Sequence, residues 1–506
     1  MGSMTQKYAI LFALLLFSIS NIYAQDVGIK DDEKLLVWIA DAQRPGQQKA
    51  QEPGQLVWID KDGNFDPFMD IPPQTTHVMS CGQSSALSSD GESLAFYVGA
   101  NVGTLHILRG TDSLFVVDTD FHAMGCTGNG TFEFFPDSSK FAYIDYDLKS
   151  LEGSYGNGTL RIYNNVTFEQ IRNFDNVTNF DVEGNNVAYA RFFANDRGEA
   201  IETAIVLWDG ETDREVATLF AEADCVYNAA NVKLLANGNI VAVMGHRCST
   251  GDTRTNWQYY VIDPNNRTAT QITQNAQDGR FFAFSRTNTI YASPDGTTTF
   301  FTIPDGITNH TVSLELVEMT GMSMTPVIQR NIIMPRYTTA PFADENHPTI
   351  QSPNGVWLSM VRNTADNDAT LNLYDLSQPS LPPIELSAGA RRDQIIEMEF
   401  TPDNNRLIYV AGGNNGNDNS LWGVDLASGN NFRIRRGKYG WGVISPDGGR
   451  IALMNWVPTE GNKPPYATLV VVDIESTTET LLFQGGEVVN GDLTGVRFAL
   501  PIAWRR

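Results

Sequence analysis

Trp441-Gly442-Val443-Ile444-Ser445-Pro446-Asp447-Gly448-Gly449-Arg450-Ile451-Ala452-Leu453-Met454 is the stretch that decides the fold. A short apolar run meets a Ser-Pro-Asp-Gly turn and then a second apolar run, which spells a β-hairpin. Proline presets φ at the first corner of such a turn, and Asp-Gly tolerates the second. The same sentence recurs along the chain, and self-similarity at a fixed period outranks any single motif.

The turns sit at Asp32-Glu33, Asp90-Gly91, Asp137-Ser138, Glu183-Gly184, Asn237-Gly238, Asp295-Gly296, Asn354-Gly355, Asp403-Asn404 and Asp447-Gly448. From Asp90 the steps are 47, 47, 53, 58, 59, 49 and 44 residues, the length of four short strands. An apolar run follows each turn, as in Leu35-Leu-Val-Trp-Ile39 and Phe141-Ala-Tyr-Ile144. A third run often ends in Asp or Asn, as in Gln258-Tyr-Tyr-Val-Ile-Asp263 and Ala467-Thr-Leu-Val-Val-Val-Asp473, and a fourth follows. Helical periodicity is lacking after the first two dozen residues.

Apolar-Ser-Pro-Asp-Gly-x-x-Ile-Ala, followed by a strand ending in Asp, resembles the WD40-like Pro-Asp repeat of TolB-type β-propellers over residues 28–506. Ser445–Leu453 is the best copy, and the copies at Gly184 and Asn237 lack the proline. The resemblance implies an all-β chain: a single β-propeller of four-stranded antiparallel blades over residues 25–506. Eight blades is the central expectation, within a range of seven to nine, because one weak copy could be spurious. An unpaired sheet edge invites aggregation, and Gly495-Val-Arg-Phe-Ala-Leu-Pro-Ile-Ala-Trp504 is a surplus strand. It is expected to close the ring by pairing with Leu35–Ile39.

The chain has 506 residues, 42% hydrophobic and 19% charged, the composition of a globular protein. Residues 1–24 read as an export signal: Lys7, then the apolar run Tyr8–Ile19, then Ile22-Tyr23-Ala24 before Gln25. Met1-Gly2-Ser3 reads as an appended start. The apolar run is too short to span a bilayer, so a periplasmic or extracellular location and no membrane span are expected. The formal charge of −24 opposes nucleic acid as a partner.

Four cysteines, an even number in an exported chain, predict two disulfides. In a four-stranded meander the start of the first strand and the end of the second share one end of the sheet. That geometry pairs Cys225 with Cys248 and leaves Cys81 for Cys126 by elimination. The repeated words His77-Val-Met79-Ser-Cys81 and His122-Ala-Met124-Gly-Cys126 also fit soft-metal ligands, but paired cysteines are no longer thiolates, so neither metal nor cofactor is expected. Asp60-Lys-Asp62-Gly-Asn64-Phe-Asp66 departs from the calcium-loop pattern at its sixth and twelfth positions and reads as a hairpin turn. Six Asn-x-Thr matches, at Asn129, Asn157, Asn165, Asn176, Asn266 and Asn309, are expected by chance in such a composition.

Catalytic motifs are missing: no Gly-x-Ser-x-Gly, no His-Glu-x-x-His and no phosphate-binding Gly-x-x-x-x-Gly-Lys. The face where first strands begin is expected to gather His77, His122, Tyr227, His246, Arg280, His347, Arg391, Arg392 and Tyr439 at a channel mouth. Polar and aromatic groups meeting there suit a protein or peptide ligand, and the arginines suit a carboxylate or an acidic tail. The expectation is therefore a non-enzymatic binding or scaffold module. The competing reading is a polysaccharide lyase or hydrolase with a His- and Arg-lined, metal-assisted site in the channel.

Overall fold

The computed structural model describes residues 28–41, 54–72, 75, 77–80, 87–100, 102–122, 132–146, 158–194, 200–220, 225–248, 256–271, 290–308, 311–320, 323–328, 334–335, 349–363, 368–378, 381–391, 395–412, 419–457, 466–485, 487–489, 492–494 and 497–505. At several strand ends only the backbone is described. The export signal expected at residues 1–24 lies outside these residues, as do Cys81, Cys126, Arg280, His347 and Arg392.

Every regular element among the described residues is a β-strand, and neighbouring strands of the described sheets run antiparallel. Met1–Asp70 with Trp441–Arg506 forms one compact part, and Ile71–Gly440 the other. In the larger part, sequence-consecutive strands form four-stranded meanders, for example His77–Ser80, Ser93–Gly99, Val102–Arg109 and Ser113–His122. One sheet has seven strands because Gln170–Glu183 belongs to two meanders. Its first half pairs with Gly158–Asn164, and its second half, past an irregularity between Val177 and Asn179, pairs with Asn186–Ala194. Counted this way, the described strands make nine meanders, and the expectation of eight is corrected. The doubted Gly184 copy is a genuine hairpin, Glu183 pairing with Asn186; it lacks proline because its turn is too tight to need one. A short hairpin, Glu487–Val489 with Asp492–Thr494, was not foreseen.

The turn chemistry explains why the motif repeats. In five copies a hydroxyl donates to the side chain two residues on and accepts from the backbone five residues on. Ser88 Oγ lies 2.6 Å from Asp90 Oδ1 and 2.9 Å from the Ser93 nitrogen. Ser293, Ser352, Thr401 and Ser445 repeat both bonds. The residue after the acid turns left-handed, with φ of 72° at Gly91, 66° at Gly296 and 70° at Gly448. Glycine takes that region freely and asparagine readily, which is why Asn404 can stand there at 57°.

Inner strands such as Ser93–Gly99 and Lys140–Tyr146 are buried on both faces, so they read as continuous apolar runs instead of alternating ones. Phe141 and Tyr143 enter the core shared with the preceding meander, alongside Tyr97, Ile107 and Phe121. Ala142 and Ile144 enter the core shared with the following one, alongside Val182, Tyr189 and Trp208. Successive turns are also tied to one another. The Asp90 nitrogen donates to Ser138 Oγ at 3.0 Å, Asn237 Nδ2 to the Gly296 carbonyl at 2.8 Å, and the Asn354 nitrogen to Asn404 Oδ1 at 2.9 Å.

In the smaller part, Arg497–Arg505 pairs with Lys34–Asp41, the clasp expected for the surplus strand. Leu35, Val37, Ala499 and Trp504 pack with Ala452, Leu469 and Val471 of the last meander. Trp504 Nε1 donates to the Val443 carbonyl at 2.9 Å. Arg450, buried, holds Glu33 at 2.7 Å and the Gly28 carbonyl at 2.5 Å.

Candidate functional site

Strand register decides which of the expected residues meet. In the second meander His77 pairs with Gly99, Gly99 with Gly103, and Val102 with His122, so both histidines lie at one end of one sheet. His122 ends a fourth strand instead of opening a first one, which corrects its expected placement. Two irregularities between Gly103 and His106 lengthen that last strand to ten residues and draw His122 into it. Gly99 and Gly103 are glycine for a steric reason. A Cβ on either would stand 2.5 or 2.7 Å from Tyr97 Oη, which passes between them to the Ala100 carbonyl at 2.8 Å.

In the fifth meander Cys225 stands opposite Cys248, Tyr227 opposite His246, and His246 opposite Asn256. Arg391 ends the fourth strand of the seventh meander, opposite Asp368. Each of these pairs occupies the end of its own sheet where the first strand begins. Tyr439 is different: it is 1% exposed, and its carbonyl accepts from Asn419 Nδ2 at 3.2 Å, so its ring is walled in and presents nothing to a ligand.

A second arrangement went unread in the sequence. Glu133, Asp181 and Lys233 occupy one register position in three successive first strands, opposite Ala142, Ala188 and Val241. A first strand has one free edge whose N–H groups need acceptors. Asn179 Oδ1 accepts from the Val232 nitrogen at 2.9 Å, Asp181 Oδ2 from Leu234 at 2.8 Å, and Glu133 Oε2 from Val182 at 3.2 Å. Each meander thus stitches the edge of the next. Lys233 Nζ lies 2.8 Å from Asp181 Oδ1 and supplies the countercharge.

Burial pushes Glu133 up to about 8, with the Asp181 charge adding and Lys233 opposing. Burial works against the charge on Lys233, but Asp181 and Glu133 outweigh it and raise its affinity for the proton. The three groups thus set a carboxyl that favours its proton beside the Asp181–Lys233 ion pair. The signal was a polar residue inside an otherwise apolar first strand: Phe132-Glu133-Phe134, Phe180-Asp181-Val182, Val232-Lys233-Leu234. Only alignment of the repeats on their turns puts the three in one row.

Among the described residues, no group of three His, Cys, Asp or Glu side chains is placed to hold a metal ion. Asp60 spends its carboxylate on its own turn, accepting from the Asp62 and Asn64 nitrogens at 2.9 Å, as the hairpin reading expected. Of the six Asn-x-Thr matches, Asn165 is fully buried and donates to the Ser138 carbonyl, so it is closed to modification. Among the described residues, no helix is long and apolar enough to cross a membrane.

No family model matches the chain, and no curated protein matches it. Solved structures that it resembles include a eukaryotic initiation factor, at 11% identity, covering 93% of this chain and 98% of that one with a TM-score of 0.49. An oligogalacturonate lyase in complex with manganese aligns at 13% identity over 89% of this chain and 100% of that one, TM-score 0.42. TolB from Acinetobacter baumannii aligns at 14% identity over 72% and 83%, TM-score 0.26. These likenesses are too distant to carry an argument, and the fold rests on the strand topology above.

Proposed function

We propose that the nine meanders close into one β-propeller that is exported and serves as a protein- or peptide-binding module. Its ligand sits on the face where first strands begin. The observation that carries this reading is the shared strand-end position of His77, His122, Tyr227, His246 and Arg391 in three separate meanders. Closure is supported by the pairing of Arg497–Arg505 with Lys34–Asp41 and by the packing of the last meander on the first.

Arg391 at that face would favour carboxylates, which makes the ligand an acidic segment or a chain terminus. The Cys225–Cys248 bridge, between directly opposed positions, would fix the rim beside Tyr227 and His246. The test is titration of a glutamate-rich peptide with a free carboxylate into the native chain and into Arg391→Ala/Arg392→Ala. Binding that weakens at least tenfold in the variant supports the reading. An unbound peptide, or one bound equally by both chains, overturns it.

A further inference from the structure

The fourth strand of the second meander, Ser113-Leu-Phe-Val-Val-Asp-Thr-Asp-Phe-His122, is ten residues long and in its sheet pairs only with Val102–Arg109. Soluble proteins guard such edges with lysine, proline or brevity. Two other fourth strands are guarded, Thr268–Gln271 by having four residues and Phe65–Ile71 by Pro67, whereas the six-residue Glu479–Gln484 lacks Lys, Arg and Pro. Ser113–His122 contains neither Lys, Arg nor Pro. Its irregularities fall at Val117 and beyond, which leaves Ser113–Val116 in regular register with Arg109–His106.

That half is apolar and open, with Phe115 37% and Val116 57% exposed. The hairpin tip of the next meander extends it, since Val166 is 57% exposed and Phe168 stacks on Phe115 with ring centroids 3.5 Å apart. The tip is built, not loose. Asn164 Oδ1 accepts from the Val166 and Thr167 nitrogens at 2.8 Å, and Arg109 Nη1 donates to the Asn165 carbonyl at 2.9 Å. Phe168 is held at a φ of 57°, a region an aromatic residue rarely adopts, and this presents its ring to the strand. Arg267, Gly429 and Thr477 take the same left-handed φ in the corresponding turns after Asp263, Asp425 and Asp473, so this is the hairpin geometry of the repeat. Around the apolar strip stand Asp112, Asp118, Asp120 and Glu169, in a chain of formal charge −24.

We propose that this edge docks an extended segment of a partner protein in which apolar residues alternate with lysine or arginine, added as a further strand beside Ser113–Val117. Main-chain hydrogen bonds hold such a segment, Phe115 and Val166 bury its apolar side chains on one face, Val116 meets the aliphatic stems of its cations on the other, and the flanking carboxylates select their charge. A second copy of this chain fits poorly, because edge-to-edge pairing would set Asp112, Asp118 and Asp120 against their own kind. The surface is separate from the mouth of the sheets, and the two can fail independently.

The probe is an eight-residue peptide alternating valine and lysine, with a valine–glutamate peptide as control, titrated into the full chain by calorimetry. The lysine peptide should bind the native chain and Arg391→Ala/Arg392→Ala alike, whereas any binding of the glutamate peptide belongs to the mouth and should be lost in that variant. Phe115→Asp and Val166→Asp should each weaken binding at least tenfold, although both add negative charge. Binding strengthened by those variants would reduce the contact to charge alone and overturn the proposal. Absence of binding, or a dimer abolished by Phe115→Asp, would overturn it as well. Should Phe115→Asp lower the melting midpoint, Phe115→Thr replaces it, with the same direction expected.

Discussion

At the scale of a residue, Glu133 shows how one position serves structure and titrates oddly in consequence. It caps the Val182 nitrogen while burial holds its proton on up to about pH 8. The unfolded chain gives up that proton near the ordinary value of 4.5. Its contribution is therefore fully present below that value and is lost as pH rises towards 8. Glu133→Gln keeps an acceptor for Val182 and removes the titration. Urea unfolding across roughly pH 5 to 9 should show a declining midpoint in the native chain and a flatter one in the variant. An equal slope in both would place the buried proton elsewhere.

At the scale of an element, the clasp joins segments more than four hundred residues apart, and its ion pair is buried on both sides. The Arg450 side chain is 7% exposed and that of Glu33 1%, while the Arg450 guanidinium also lies 5.4 Å over the Trp504 ring. Removing one partner of such a pair leaves the other charge desolvated and costs about 3–5 kcal/mol, whereas replacing both with apolar residues can be near neutral. Arg450→Met should lower unfolding stability by about that amount, and Glu33→Leu/Arg450→Met should recover most of it. Additive losses in the double variant would count against the pairing. Truncation before Arg497 should be worse than either, since it strips Lys34–Asp41 of one hydrogen-bonded neighbour.

Across the whole molecule, the repeated turns make acid the weak point. Asp295 is held below the ordinary carboxylate range by Ser293 and Thr297, Asp209 by the Thr212 and Glu211 nitrogens, and Asp263 by the Asn266 nitrogen and side chain. At Asp90, Asp403 and Asp447 burial pushes the other way, but it is outweighed by hydroxyl and backbone donors and, at Asp447, first by the Lys30 ammonium. A depressed folded-state value gives stability that is present above the unfolded value, about 3.9, and is lost as pH falls below it. Buried His106, lowered to about 4 by desolvation and stacked on Phe96, adds a loss that begins below about 6.5. Melting followed by circular dichroism should fall gently below that pH and steeply below about 4. His106→Gln should remove the gentle phase. A midpoint that holds to pH 3 would contradict the turn chemistry.

The sequence by itself determined the repeat, its turns and the clasp, because each is written locally. A Ser-Pro-Asp-Gly turn closes within five residues of backbone, and a surplus apolar strand at the end of a sheet-forming chain has few places to go. Allowing for one spurious copy among nine turns cost the count its accuracy, since proline and register signals vanish where a turn is tighter, as at Gly184. Only the tertiary structure set His122 on a fourth strand, buried Tyr439 and aligned Glu133, Asp181 and Lys233. Those outcomes depend on bulges and on which strand edge lies beside which, and such relations arise between segments some fifty residues apart, where local propensity is silent.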